Sequence, residues 1–151
     1  MSAHVLVRVP GKINLQLSVG PLQKDGFHSV ATVFQAVSIF DDVKVELNDD
    51  GLVHVQSTAK TNNHLPLDKE NLAVKAVELM RKKFSITDGI TITLTKEIPI
   101  AGGMAGGSAN AGAAIVGMDS LFNLGDIRYP TLHILKTGRV GICVGDILDL
   151  R

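Results

Sequence analysis

The sequence contains one stretch dominated by small residues: Pro99-Ile100-Ala101-Gly102-Gly103-Met104-Ala105-Gly106-Gly107-Ser108-Ala109. Four glycines fall within six positions of this glycine-rich segment, so its backbone can curl and approach a ligand without obstruction from Cβ atoms. An alternating pattern over Ile90–Leu94 predicts a strand before it, and helical periodicity from about Ser108 to Phe122 predicts a helix after it. Free N–H groups and the positive end of the dipole at a helix start favour an anion. The segment therefore predicts a phosphate site, with the Ser108 hydroxyl beside the phosphate or a magnesium ion.

Two better-known phosphate-binding loops do not match this spacing. The Walker A pattern GxxxxGK[ST] is missing, and no GxGxxG closes a strand as it does in a Rossmann fold. A tight turn that needs small residues for close packing, without any ligand, is the alternative interpretation. The segment by itself leaves both interpretations open.

Strand patterns dominate the first half of the chain. Alternating or β-branched residues predict strands over five segments: Val5–Val9, Ile13–Val19, Val30–Ile39, Val43–Leu47 and a short one around Val53 to Val55. Asp25-Gly26 predicts the turn between the second and the third of these strands.

Helical periodicity appears later in the chain. Asp68 is placed to cap a helix over Lys69–Phe84, in which apolar residues recur at i, i+3, i+4 and i+7. The second helix leaves the glycine-rich segment, with an apolar stripe from Ala111 to Phe122. Strands that come early and helices that come late predict an α+β fold with a mixed or mostly antiparallel sheet.

Composition restricts the class of protein. A length of 151 residues with 45% apolar and 20% charged residues is typical of one globular domain. Fifteen Lys and Arg balance fifteen Asp and Glu, so no overall field favours nucleic acid or an anionic membrane. The lone Cys143 cannot form an internal disulfide, and CxxC and HExxH zinc spacings are missing. Without a secretory signal or an apolar run of roughly 18 residues, the sequence predicts a cytoplasmic protein.

Two pairs of polar or aromatic residues are further candidates for a site. Lys12 and Asn14 share one strand face, because side chains alternate with a period of two. A lysine there could neutralise phosphate charge or lower the pKa of a substrate hydroxyl, and a solvated strand lysine is the alternative. Phe27 and His28 follow the predicted turn and could stack on and hydrogen-bond a base, or simply end a hairpin.

Taken in order, these segments resemble the GHMP small-molecule kinases. The resemblance runs from about Val7 to Asn123 and is carried by five motifs: Val9–Leu15, Asp25–Ser29, Val33–Gln35, Glu70–Ala73 and Pro99–Ser108. The Asp-Gly-Phe-His turn followed by Val-Phe-Gln narrows the resemblance to the diphosphocytidyl-methylerythritol kinases. It implies a GHMP kinase N-terminal, ATP-binding domain over residues 1–124, similar to domain 2 of ribosomal protein S5, with helices on one face of the sheet.

The resemblance implies that ATP phosphorylates a hydroxyl of a small molecule, a cytidine-diphosphate-linked methylerythritol of the non-mevalonate isoprenoid pathway. Pro99 to Ala109 would bind the ATP phosphates, with Ser108 near Mg²⁺. Asn71 and Lys96 would lie at the adenine end. Positioning and electrostatics supply most of the catalysis in phosphoryl transfer, which suits such a set of residues.

The resemblance also implies roles on the acceptor side. Lys12 would be the catalytic lysine, and Asn14 its neighbour in the substrate site. Phe27 and His28 would hold the cytosine, with Phe27 where the family usually has tyrosine. Loss of the phenol hydroxyl with retention of the ring should preserve stacking.

The resemblance stops after Leu124. The family continues with a Gly-Ser/Ala-Asp-Val-Pro segment whose aspartate is the catalytic base, and the spacing places that position at Gly141. Asp146 is the nearest aspartate, but its flanking residues do not match. We therefore expect residues 125–151 to be a divergent tail, the C-terminal domain of the family to be absent, and the 151-residue chain to be inactive. A different GHMP kinase, such as homoserine or mevalonate kinase, and a non-catalytic nucleotide-binding remnant are the alternatives.

Overall fold

The computed structural model describes residues 3–24, 26–58 and 65–125. These residues form six elements: β1 (His4–Leu22), β2 (His28–Asn48), β3 (Val53–Ser57), α1 (Leu72–Phe84), β4 (Gly89–Thr95) and α2 (Gly106–Phe122). Asp25, most of the polar segment before α1, and the tail with Gly141, Cys143 and Asp146 lie outside the described residues.

The four strands form one mixed sheet in the order β1-β2-β4-β3. β2 pairs antiparallel with both β1 and β4, and β3 pairs parallel with β4. The predicted α+β class and mixed sheet are confirmed. Two pairs of segments predicted as separate strands are continuous: the first two segments form β1 and the next two form β2. In β1, a register shift between Pro10 and Lys12 accommodates Pro10 and Gly11 without ending the strand.

The core lies between one face of the sheet and the two helices. Val43, Val45, Ile90 and Ile92 are fully buried on that face of the sheet. α2 is buried almost all round rather than along one stripe, and its small residues allow close packing. At Gly117, for example, a Cβ atom would lie 2.6 Å from Val45 Cγ2. None of the helices in the described residues is long and apolar enough to cross a membrane.

The start of α1 corrects the predicted cap. The helix begins at Leu72 rather than Lys69, and Asn71 caps it by accepting a hydrogen bond from Ala73 N at 2.9 Å. Asp68 Oδ1 instead accepts from Glu70 N at 2.9 Å, within the turn before the helix. An aspartate that bonds two residues ahead stabilises a turn in competition with a helix, which explains why the helix starts later. The predicted apolar stripe is confirmed, since it is buried at Ala73, Ala76, Val77 and Met80.

Beyond the core, β1 and β2 continue as a two-stranded ribbon. Its apolar side chains are exposed on one face: Ile13 is 41% exposed, Leu15 62% and Leu17 55%. Lys12 and Asn14 on the opposite face are half-buried. The polar face is therefore the more covered one, because the glycine-rich segment lies against it, whereas neither described helix covers the apolar face.

Candidate functional site

The glycine-rich segment connects β4 to α2 through several left-handed residues. Ala101, Gly103 and Ala105 have φ values of 60°, 70° and 57°. A left-handed conformation costs a residue with a Cβ atom roughly 1–2 kcal/mol, so the two alanines are strained. Strain of this kind is concentrated at sites where the backbone must meet a ligand. The helix begins at Gly106, two residues before the start that periodicity predicts.

The first amides of α2 are free to bind an anion. The N-cap residue is Ala105, which makes no side-chain capping bond. Ala109 N donates to Ala105 O at 2.9 Å, but Gly106, Gly107 and Ser108 have no backbone acceptor among the described residues. Together with about half a positive charge from the helix dipole, these N–H groups favour an anion, and their binding of phosphate stays a prediction.

An open cleft of about 380 Å³ lies beside these amides. The glycine-rich segment forms one wall, and Leu65, Pro66, Asn71 and Leu72 contribute to the rest of the lining. A second cleft of about 440 Å³ lies between β3 and α1, but it has no glycine-rich loop and no helix start. The smaller cleft is therefore the candidate site.

Lys12 joins β1 to the glycine-rich segment. Its Nζ donates to Gly103 O and to Asn14 Oδ1, both at 2.7 Å, and its backbone N donates to Met104 O at 3.1 Å. Asn14 is oriented in turn by Thr32, whose hydroxyl accepts from Asn14 Nδ2 at 2.7 Å. Among the described residues no carboxylate lies within 4 Å of the Lys12 ammonium. The structure thus brings Lys12 and Asn14 to the segment with an unneutralised positive charge.

The two residues expected at the adenine end already have protein partners. Asn71 lines the cleft, but its amide caps α1 and donates to Pro66 O at 2.7 Å. Lys96 also lines the cleft, but its ammonium donates to Asp41 Oδ2 and, at 2.9 Å, to Asn110 Oδ1, and its side chain is only 3% exposed. Their contribution to adenine binding stays a prediction.

Asp41 and Asn110 complete a buried polar cluster that sequence reasoning missed. Asp41 is fully buried, and it is the only buried carboxylate in the described part of the chain. The sequence did contain a signal for this cluster. Asp41 lies two residues before Val43 and four before Val45, so strand alternation places it on the apolar face of β2. Its neighbour Asp42 faces the other way and pairs with an exposed arginine.

Known proteins resemble this chain in sequence and show which family it belongs to. A sequence profile described as GHMP kinases N terminal domain matches residues 71–145, which extends past Leu124. A curated relative from Mycolicibacterium vanbaalenii, named 4-diphosphocytidyl-2-C-methyl-D-erythritol kinase, is 47% identical over 134 residues that cover 89% of this chain. The chain belongs to the GHMP kinase family. It spans 41% of the length of that relative.

Solved structures of GHMP kinases share the fold. A crystal structure of 4-(cytidine 5'-diphospho)-2C-methyl-D-erythritol kinase matches with a TM-score of 0.64 and 31% identity, covering 78% of this chain and 41% of that one. A homoserine kinase from Cytophaga hutchinsonii matches with a TM-score of 0.62 at 22% identity, covering 87% of this chain and 39% of that one. The second likeness shows the fold alone.

Phe27 and His28 lie at the tip of the ribbon and do not line the cleft. Phe27 is 49% exposed, and His28 Nδ1 hydrogen-bonds to Gly20 O at 2.7 Å. The ten positions from Lys12 to Leu22, the partner of His28, would span roughly 33 Å in a straight strand. The structure therefore does not bring these two residues to the glycine-rich segment, and their role in cytosine binding stays a prediction.

A protein-only metal site is not found in the described ranges, where no three His, Cys, Asp or Glu side chains cluster closely enough to hold an ion. The Ser108 side chain is half-buried beside the free amides. A hard cation such as Mg²⁺ is commonly held by one or two protein groups together with substrate phosphates. The residues present fit that mode of binding.

Proposed function

We propose that this GHMP kinase domain is the nucleotide-binding part of an ATP-dependent kinase. The acceptor would be a hydroxyl of 4-(cytidine 5'-diphospho)-2-C-methyl-D-erythritol, in the non-mevalonate isoprenoid pathway. The observation that carries the proposal is the set of amides at Gly106–Ser108 that have no acceptor among the described residues, with the Lys12 ammonium at the same loop. The name of the relative at 47% identity supports the acceptor.

On the nucleotide side, the backbone does most of the binding. The amides of Gly106, Gly107 and Ser108 would donate to phosphate oxygens, and the left-handed Ala105 turns them towards the cleft. The Ser108 hydroxyl would hold Mg²⁺, which neutralises charge on the phosphates when it is bound. This arrangement needs no basic residue in the loop itself, unlike a Walker A sequence.

Lys12 would stabilise the transferred phosphoryl group. An ammonium has three N–H donors, and Gly103 O and Asn14 Oδ1 occupy two of them. The third donor remains for a phosphate oxygen, so Lys12 would act without giving up its contact with the loop. Asn14 fixes the ammonium, because its own amide is held by Thr32.

The described residues do not supply a catalytic base. Asp41 is unavailable, because its two oxygens accept hydrogen bonds from Glu97 N, Ile98 N, Lys96 and Asn110. Loss of a general base typically slows a reaction by roughly 10²–10⁴-fold. We therefore propose that the 151-residue chain binds ATP without completing the transfer.

Nucleotide binding by the purified chain tests this proposal. Calorimetric titration with ATP and MgCl₂ should give saturable binding. Lys12→Met should weaken it by roughly 10- to 100-fold, the range for loss of a hydrogen bond to a charged group. Lys44→Met is the matched control, since Lys44 is a strand lysine paired with Glu46 at 2.8 Å outside the cleft. Absence of binding, or equal affinities for the two variants, would refute the proposal.

A turnover assay tests the acceptor and whether the chain supplies a catalytic base. We expect no phosphorylated product from the cytidine-linked methylerythritol, homoserine or mevalonate. Product from homoserine or mevalonate would favour another GHMP kinase. Product from the cytidine-linked acceptor that disappears in Lys12→Met would contradict the inactivity and direct the search for a base to Asp146.

A further inference from the structure

We propose that Asp41, Lys96 and Asn110 form a buried clamp that positions the phosphate-binding amides at the start of α2. This inference rests on the proposed nucleotide site. The three residues would act as positioning residues, since none of them needs to touch the transferred phosphoryl group.

The clamp ties both ends of the glycine-rich segment to one carboxylate. Asp41 Oδ1 accepts from Glu97 N at 2.8 Å and Ile98 N at 2.9 Å, where the chain enters the segment. Asp41 Oδ2 accepts from Asn110 Nδ2 at 2.9 Å, where the chain leaves it. The entry and the exit therefore cannot separate without breaking bonds to a buried charge.

Lys96 closes the clamp. Its ammonium donates to Asp41 Oδ2 and, at 2.9 Å, to Asn110 Oδ1. A triangle of bonds thus connects β2, the residue just after β4 and the first turns of α2. Hydrogen bonds with an ionised partner are shorter and stronger than neutral ones, so they fix geometry well.

The burial of these charges calls for an explanation other than stability. Asp41 is 0% exposed, Asn110 2% and the Lys96 side chain 3%. Well-packed apolar residues in place of a buried ion pair are often as stable or more so, because desolvation offsets the attraction. A role in fixing the position of a loop accounts for retaining the pair.

The clamp lies against Gly106, the first residue of α2. A Cβ atom on Gly106 would lie 3.0 Å from Lys96 Nζ and 2.9 Å from Ile98 Cγ2, so Gly106 rests on the clamp. Any shift of Lys96 would move Gly106 and its neighbours relative to the cleft. Because Asp41 neutralises Lys96, the clamp acts through position rather than through charge. In catalysis, misplacement by about 1 Å can reduce the rate by ~10²-fold.

A charge-free double variant tests the clamp. Asp41→Asn with Lys96→Met removes both charges, while the new amide oxygen can still accept from Glu97 N and Ile98 N. Arg8→Met with Asp42→Asn is the matched control, because it removes an adjacent ion pair that is exposed on the other face. For each protein we would measure the unfolding midpoint, the affinity for ATP with Mg²⁺, and amide hydrogen exchange by peptide.

We expect the double variant to fold and to bind ATP at least tenfold more weakly, with faster exchange confined to residues 96–110. The control should match the wild type in all three measurements. Because Lys96 also lines the cleft and its loss could weaken ATP binding directly, the exchange result decides: a folded double variant with unchanged exchange would overturn the clamp whatever its affinity. If the double variant fails to fold while the control folds, the clamp is also overturned. The cluster would then be needed for folding of the whole domain and not for positioning of the loop. If the wild-type chain binds no ATP, the proposed function fails, and the exchange data still decide whether the clamp holds the loop.

Discussion

Alanine substitutions at two adjacent glycines should have opposite effects on stability. A Cβ atom at Gly106 would meet Ile98 Cγ2 at 2.9 Å and Lys96 Nζ at 3.0 Å. Neither neighbour can move freely, because Ile98 is 2% exposed and Lys96 is held by Asp41. A Cβ atom at Gly107 would meet only Leu72 Cδ1, at an ordinary 3.5 Å. Gly106→Ala therefore overpacks the base of the loop, and Gly107→Ala does not.

The size of the difference follows from these contacts. An extra methyl group in a packed region destabilises by typically 1–3 kcal/mol. Alanine in a helix gains roughly 0.5–1 kcal/mol over glycine, and this gain applies to both variants. The free energies of unfolding of the two variants should thus differ by about 2 kcal/mol. With a urea m-value of about 2 kcal/mol/M, the midpoints should differ by about 1 M.

Urea unfolding followed by far-UV circular dichroism measures both midpoints. We expect the Gly106→Ala midpoint below that of the wild type, and the Gly107→Ala midpoint at or above it. Equal midpoints for the two variants would mean that the loop relaxes around the new methyl group. The tight seating of Gly106 on Lys96 and Ile98 would then be refuted.

Three further predictions concern other parts of the domain. Asn71→Ala should lower the free energy of unfolding by ~0.5–2 kcal/mol through loss of the cap of α1, whereas Asp68→Ala should change it by less in the same urea assay. Phe27→Ala should weaken calorimetric binding of CDP by ~1–3 kcal/mol if the ring stacks on the base, and unchanged affinity would point to another acceptor. The hydrogen bonds from Arg8 hold the pKa of Asp42 below its ordinary value, so Arg8→Met should raise that pKa in an NMR titration. Because the pKa is depressed in the folded state, the pair stabilises the protein above the ordinary carboxyl pKa. That small stabilisation should disappear as the pH falls through the folded-state pKa.

Local patterns predicted the elements of the fold but not their limits. A period of two is confirmed for β3 and β4, and helical periodicity is confirmed for α1. The second predicted helix is present as α2, but it is buried almost all round rather than along one stripe. Pro10 and Gly11 do not break β1, because the pairing between β1 and β2 shifts its register between Pro10 and Lys12 and then continues. Asp68 and Asn71 are both good capping residues, and only the turn geometry before α1 selects between them.

The sequence by itself predicted the glycine-rich segment as a phosphate site. Glycines, the lack of a capping side chain and a following helix are all local, and together they leave amides free. Only the tertiary structure decided which groups meet there. The Lys12–Gly103 contact joins residues 91 positions apart, and the Lys96–Asp41 pair joins residues 55 positions apart. Such contacts depend on strand register and on how α2 packs against the sheet, so no spacing along the chain encodes them.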